Sequence, residues 1–189
     1  MMKNVLPVKV DVPYGRKIGV FVSGGLDSAI LLYIVWNICL KQGNQIKAFT
    51  MPKQDGAIEY SKKVVEWVRQ HLIADHIDHV IVGDAENIEC AISDIVEGKH
   101  AGFMYSAVTS YPEWMQPEHS RNVSQYEFLK QPFVNITKDV TVKMGLDLGL
   151  KELMSLTHSC TEDPIGKCGK CWWCQERAWA FEQNGEEDE

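Results

Sequence analysis

Residues 18–22 read IGVFV, an apolar run rich in β-branched side chains, the pattern of a strand covered on both faces of a parallel sheet. Six small and polar residues follow at 23–28, and then residues 29–40, AILLYIVWNICL, are apolar but for Asn37, with Gly43 placed to stop a helix. The alternation repeats along the chain. Residues 45–51 predict a second strand, 58–74 an amphipathic helix, 79–84 a third strand, and 87–97 a helix with Ile88, Ala91, Ile92 and Ile95 on one face. Residues 102–108 predict a fourth strand, VKVDV at 8–12 a leading one, and PFVNI at 132–136 the approach to a last element. Val140, Met144 and Leu148 stack at helical spacing before the stop at Gly149, and a short helix is expected around 176–181. Strands alternating with helices imply an α/β fold, a right-handed parallel sheet flanked by helices. The polar, proline-broken stretch 109–131 is long for a connection inside a compact domain, and such loops commonly carry function.

A chain of 189 residues with 45% hydrophobic content suffices for one contiguous core. Its net charge of -7 and acidic tail GEEDE exclude a phosphate-backbone footprint, which needs a basic surface, but leave room for a small anionic ligand. No apolar run approaches the ~20 residues of a membrane span, and the N-terminus has no signal-peptide core. A cytoplasmic protein is the expectation. Disulfides are rare there, so a cluster of four cysteines reads as metal or redox chemistry. Cys39 and Cys90 lie in predicted helices and are expected to be buried, inert thiols.

Ser23, Gly24, Gly25, Leu26, Asp27 and Ser28 stand where the first strand turns into the first helix. Glycines there let backbone N–H groups face an anion, and the helix N-terminus adds positive potential. Asp27 repels phosphate unless it binds Mg²⁺ or caps the helix, and the bland alternative is a glycine turn with Asp27 or Ser28 as N-cap. No Walker A lysine is present. SGGLDS after an apolar strand resembles the SGGxDS signature of the PP-loop ATP pyrophosphatases, which split ATP between its α and β phosphates.

Cys160, Cys168, Cys171 and Cys174 follow the spacing C-x7-C-x2-C-x2-C. Four thiolates so spaced can enclose one tetrahedral Zn²⁺ and leave no open position, which makes the site structural. A redox CxxC or an iron–sulfur cluster uses the same ligands, and His158 is an alternative ligand or a hydrogen-bonding neighbour. Trp172, Trp173 and Trp179 fit either the core of this segment or a homodimer contact.

Taken together, SGGLDS, the stretch PFVNITKDVTVKMGLDLG and the terminal HSCTEDPIGKCGKCWWCQERAWAF resemble the 7-cyano-7-deazaguanine (preQ0) synthase family, the QueC-like enzymes. The resemblance implies an adenine nucleotide alpha hydrolase-like, Rossmann-like fold, with residues 1–150 the ATP-binding domain and 151–189 a zinc-binding lobe. It also implies a ligase that converts 7-carboxy-7-deazaguanine and ammonia to the nitrile with ATP and Mg²⁺, for queuosine or deazapurine modification. Carried over, Asp27, Ser28 and Lys138 would be catalytic, residues Ser23 to Ser28 nucleotide-binding, the four cysteines zinc ligands, and Arg177 the arginine after the last cysteine. By composition alone Lys138 is equally a solvated lysine, and Arg177 a partner for an acidic neighbour. SYPEW is similar to the family's Tyr-Pro-Asp segment, but GDAENIECAISDI lacks the family's Gly-Arg-Asn. Competing readings are an enzyme that stops at the amide or adenylates another carboxylate, a PP-loop tRNA thiolase, and a non-catalytic zinc-stabilised nucleotide-binding module.

Overall fold

A computed structural model describes residues 6–52, 56–72, 77–82, 88–115 and 123–188, with the backbone alone at 88 and 89. In chain order the elements are β1 (Lys17–Phe21), α1 (Leu26–Gln42), β2 (Gln45–Thr50), α2 (Ala57–His71), β3 (Asp78–Ile81), α3 (Ile88–Glu97), β4 (Phe103–Tyr105), β5 (Leu129–Lys130), α4 (Lys138–Asp147), α5 (Lys151–Ser155) and α6 (Trp172–Glu182). The strands form one parallel sheet in the order β3-β2-β1-β4-β5. The chain therefore has the α/β architecture, a parallel sheet flanked by helices, that its alternating pattern predicts, in the Rossmann-like form that the resemblance implies.

Strand β1 is central, and its side chains divide the core. Ile18 and Val20 enter the larger apolar cluster beneath α1, α2, α4, α5 and α6, and Phe21 enters the smaller one beneath α3. Helix α1 is apolar nearly all round because it is enclosed nearly all round, with Ala29, Ile30, Leu31, Leu32, Val35 and Trp36 at most 1% exposed. It ends at Gly43, in the left-handed region with φ of 70°, where the N–H of Asn44 donates to the Cys39 carbonyl at 3.0 Å. On α3, Ala91, Ile92 and Ile95 of the predicted face are buried; the side chain of Ile88 lies outside the described residues.

Several expectations need correction. Residues 8–12 form no strand, because both edges of β1 are already taken by β2 and β4. They run as an irregular strap instead, with Val8, Val10 and Val12 against the core and the Asp11 carbonyl accepting from the Tyr105 hydroxyl at 2.5 Å. The last strand is β5 within the polar segment, whereas residues 132–136 turn into α4 through bonds such as Ile136 N–H to the Phe133 carbonyl, 3.0 Å. The short helix α5 has no counterpart in the sequence reading, and α6 starts at Trp172 rather than near 176. The predicted ends at 73–74, 83–84 and 87 lie outside the described residues. Among those described, no helix is long and apolar enough to cross a membrane.

Candidate active site and metal centre

The sheet order reverses between β1 and β4, and in open α/β sheets ligands bind outside the carboxyl ends of the strands at that point. A cleft of about 560 Å³ opens there, walled by Ser23, Gly25, Asp27 and Ser28 after β1, Met51 after β2, Thr109 after β4 and Gln131 after β5. Leu26 and Lys138 also line it. Gly24 stands behind the wall with φ of 79°, and its carbonyl accepts from the His158 N–H at 2.9 Å. A Cβ on Gly24 would meet Tyr60 Cβ at 2.7 Å, so the loop lies hard against α2.

The two serines shape the loop. Ser28 Oγ donates to the Gly25 carbonyl at 2.9 Å, the Ser23 N–H donates to Ser28 Oγ at 3.2 Å, and the hydroxyls are 3.1 Å apart. Gly25 itself occupies the N-cap of α1, and no side chain caps the helix. Neither Asp27 nor Ser28 is therefore the cap, which corrects the plain-turn reading. The first turn of α1 lines the cleft through Leu26, Asp27 and Ser28, and a helix N-terminus so placed favours an anion.

Asp27 uses one carboxylate oxygen, Oδ2, to pair with Lys138 Nζ. The other, Oδ1, is buried without a hydrogen-bond partner, a donor atom suited to a cation brought in with phosphates. Lys138 is not solvated: its side chain is 4% exposed although it opens α4. A second carboxylate, Glu176 on α6, reaches Lys138 Nζ at 3.4 Å and is 1% exposed. Nothing in the sequence pairs residue 176 with residue 138; the long-range packing of α6 on α4 does.

The sulfur atoms of Cys160, Cys168, Cys171 and Cys174 all lie within 4.8 Å of one another, and none is in a disulfide. Backbone N–H groups point at them, from Asp163 to Cys160 at 3.2 Å and from Cys171 to Cys168 at 3.3 Å. Gly169, with φ of 69°, makes the turn. Burial works against ionisation of the Cys171 thiol, but hydrogen bonds from the Thr161 and Cys174 backbones bring it down to about 6. Burial pushes Cys174 up to about 12. The donor set suits a thiophilic ion.

His158 is outside the sulfur cluster. Its ring stacks on Tyr60 with centroids 4.4 Å apart, and Nε2 lies 2.8 Å from the Asp163 carbonyl. Arg177 pairs with the acidic tail, Nε to Asp188 Oδ1 at 2.8 Å, and donates to Thr157 Oγ1 at 2.6 Å and to the Met154 carbonyl at 3.0 Å. Tyr111 of SYPEW and Trp173 line the cleft. Trp172 and Trp173 are 42% and 37% exposed, while Trp179 packs on the core. Cys39 is buried, and burial pushes its thiol up to about 12. Cys90 is exposed, contrary to expectation, because the apolar stripe of α3 runs through the neighbouring positions 91, 92 and 95.

Cys160 lines the same cleft as the glycine loop, so both sequence motifs converge on one place. Fold and site together define an α/β protein with a glycine-rich loop at the head of α1 and a four-cysteine cluster beside it. Residues 109–185 match the family model described as queuosine biosynthesis protein QueC. Among curated proteins, the 7-cyano-7-deazaguanine synthase of Persephonella marina is 26% identical over 219 aligned positions, covering 89% of this chain and 93% of that one. The 7-cyano-7-deazaguanine synthase of Archaeoglobus fulgidus is 29% identical, covering 88% and 86%. Among solved structures, U34-tRNA thiolase NcsA from Methanococcus maripaludis superposes with a TM-score of 0.47 at 15% identity, covering 90% of this chain and 67% of that chain. The similarity to proteins named 7-cyano-7-deazaguanine synthase thus extends along most of the chain.

Proposed function

We propose that the protein is an ATP-dependent carbon–nitrogen ligase that converts 7-carboxy-7-deazaguanine and ammonia to 7-cyano-7-deazaguanine. The observation that carries this reading is the opening of the SGGLDS loop and of Cys160 onto one cleft; the likeness to proteins named for that product supports it. A carboxylate is a poor electrophile. Its oxygen attacks the α-phosphorus of ATP and releases pyrophosphate, and ammonia then displaces AMP with loss of a proton to give the amide. The amide oxygen then attacks the α-phosphorus of a second ATP and releases a second pyrophosphate, and departure of AMP with loss of both amide protons leaves the nitrile.

In this reading the uncapped N–H groups of α1 hold the phosphates, Ser23 and Ser28 keep the loop open, and Lys138 lies beside the charge that develops on pyrophosphate. Asp27 Oδ1, buried and without a hydrogen-bond partner, is the atom that would take Mg²⁺, which when bound neutralises phosphate charge. Zinc is the ion assigned to the cysteines. At a Zn–S distance of about 2.3 Å, tetrahedral sulfurs stand about 3.8 Å apart, and Cys160 and Cys171 already lie 4.0 Å apart. A cubane cluster would spread its thiolates further. Residues 1–150 supply the nucleotide site and 151–189 the metal lobe, the two sharing the core that Leu153, Met154, Ala180 and Phe181 enter. The net charge of -7 supports a small-molecule substrate over nucleic acid or an anionic membrane surface, and the cytoplasm is the compartment we propose for the reaction.

The test is direct. Purified protein with 7-carboxy-7-deazaguanine, ammonium and MgATP should release pyrophosphate and yield a nitrile by mass spectrometry, with about one zinc per chain by metal analysis. An amide as the end product would shorten the reaction to its first half, and no pyrophosphate would sink the assignment.

A further inference from the structure

Lys138 touches two carboxylates, and only one of them faces the cleft. Asp27 and Lys138 line it, whereas Glu176 is 1% exposed and reaches Nζ at 3.4 Å from behind, on the second turn of α6. The buried ammonium of Lys138 therefore has an anionic partner on each side, one at the cleft and one behind it. The neighbouring guanidinium of Arg177 is directed elsewhere, to Asp188, Thr157 and the Met154 carbonyl.

We infer that Glu176 is a positioning residue that holds Lys138 in the cleft when Asp27 turns to the cation of a bound nucleotide. Asp27 has one oxygen on Lys138 and one buried without a hydrogen-bond partner. A cation drawn to Asp27 competes with the Lys138 ammonium for the same carboxylate, and like charges repel. With Glu176 behind it, the ammonium keeps an anionic partner without leaving its buried place. Without Glu176, Lys138 has Asp27 alone and opposes the cation. Glu176 thus sets how readily Asp27 can be surrendered to a cation, and it links α6, which carries Cys174, to the nucleotide loop. The inference rests on the nucleotide reading of the cleft.

The experiment measures binding of a non-hydrolysable ATP analogue by titration calorimetry across a magnesium series. Glu176→Gln keeps the shape and removes the charge. It should raise the magnesium concentration needed for half-maximal nucleotide binding by about tenfold, within the range of ordinary couplings between sites. Glu176→Asp should recover part of that loss, with zinc content unchanged in both variants. A role confined to packing would lower thermal stability and leave the magnesium dependence where it was; that result overturns the inference. Should the variants fail to fold, a crystal structure of the unsubstituted protein with MgATP analogue decides: Lys138 should lie on Glu176 and away from Asp27, and Lys138 still on Asp27 overturns it. If the unsubstituted chain shows no magnesium-dependent binding at all, the nucleotide reading itself falls, an outcome distinct from unaltered magnesium dependence in Glu176→Gln.

Discussion

The two carboxylate oxygens of Asp27 have different surroundings: Oδ2 is held by Lys138 and Oδ1 is buried without a hydrogen-bond partner. In the proposed reaction they have separate work. Asp27→Asn keeps the size and removes the charge. It should lower pyrophosphate release by at least about 100-fold, the scale on which single charge-stabilising groups act, with an unchanged circular dichroism spectrum. Turnover within a few fold of the parent would remove Asp27 from the mechanism. Ser28, by contrast, is 6% exposed and bonded to the Gly25 carbonyl, which makes it a brace of the loop before anything else.

At the scale of elements, the site depends on how closely the loop between β1 and α1 approaches α2. Gly24 has φ of 79°, and a Cβ there would meet Tyr60 Cβ at 2.7 Å and the Ser61 backbone nitrogen at 3.0 Å. Gly24→Ala combines left-handed strain with overlap against a helix that cannot swing away. It should cost about 2 kcal/mol or more in urea unfolding and abolish nucleotide binding, because the loop must lift off α2 to admit the methyl. Parent-like stability would show that the loop has slack the contacts deny. This element was half legible beforehand. SGGLDS after an apolar strand announces the turn, but no local pattern shows that α2 packs against it, since that contact joins residues 24 and 60 across the whole of α1 and β2.

At the scale of the molecule, the cysteine cluster is tied to the glycine loop by two routes. The backbone of His158, two residues before Cys160, donates to the Gly24 carbonyl at 2.9 Å. Helix α6 carries Cys174 at one turn and Glu176, on Lys138, at the next. Removing the metal with a chelator should therefore do more than loosen the C-terminal segment. We expect a fall in melting temperature of at least about 5 °C, a red shift in the fluorescence of the tryptophans on α6, and loss of nucleotide binding together, all reversed by zinc. Nucleotide affinity that survives metal removal would mean that the two motifs are neighbours without being coupled.

Periodicity and punctuation by themselves determined the α/β class, the glycine loop at the head of α1 and the four-cysteine set, because each is written in residues close together in the chain. Core burial needs a repeating apolar face, and tight turns need glycine, so both leave local marks. Tertiary structure alone decided that residues 8–12 remain a strap, since only the finished sheet shows the edges of β1 already filled. It also decided that Lys138 is buried between Asp27 and Glu176 and that Cys160 shares the cleft with Ser23. Those placements join positions far apart in the chain, and the energy that selects them comes from packing α4 and α6 together against one core, which no short window of sequence contains.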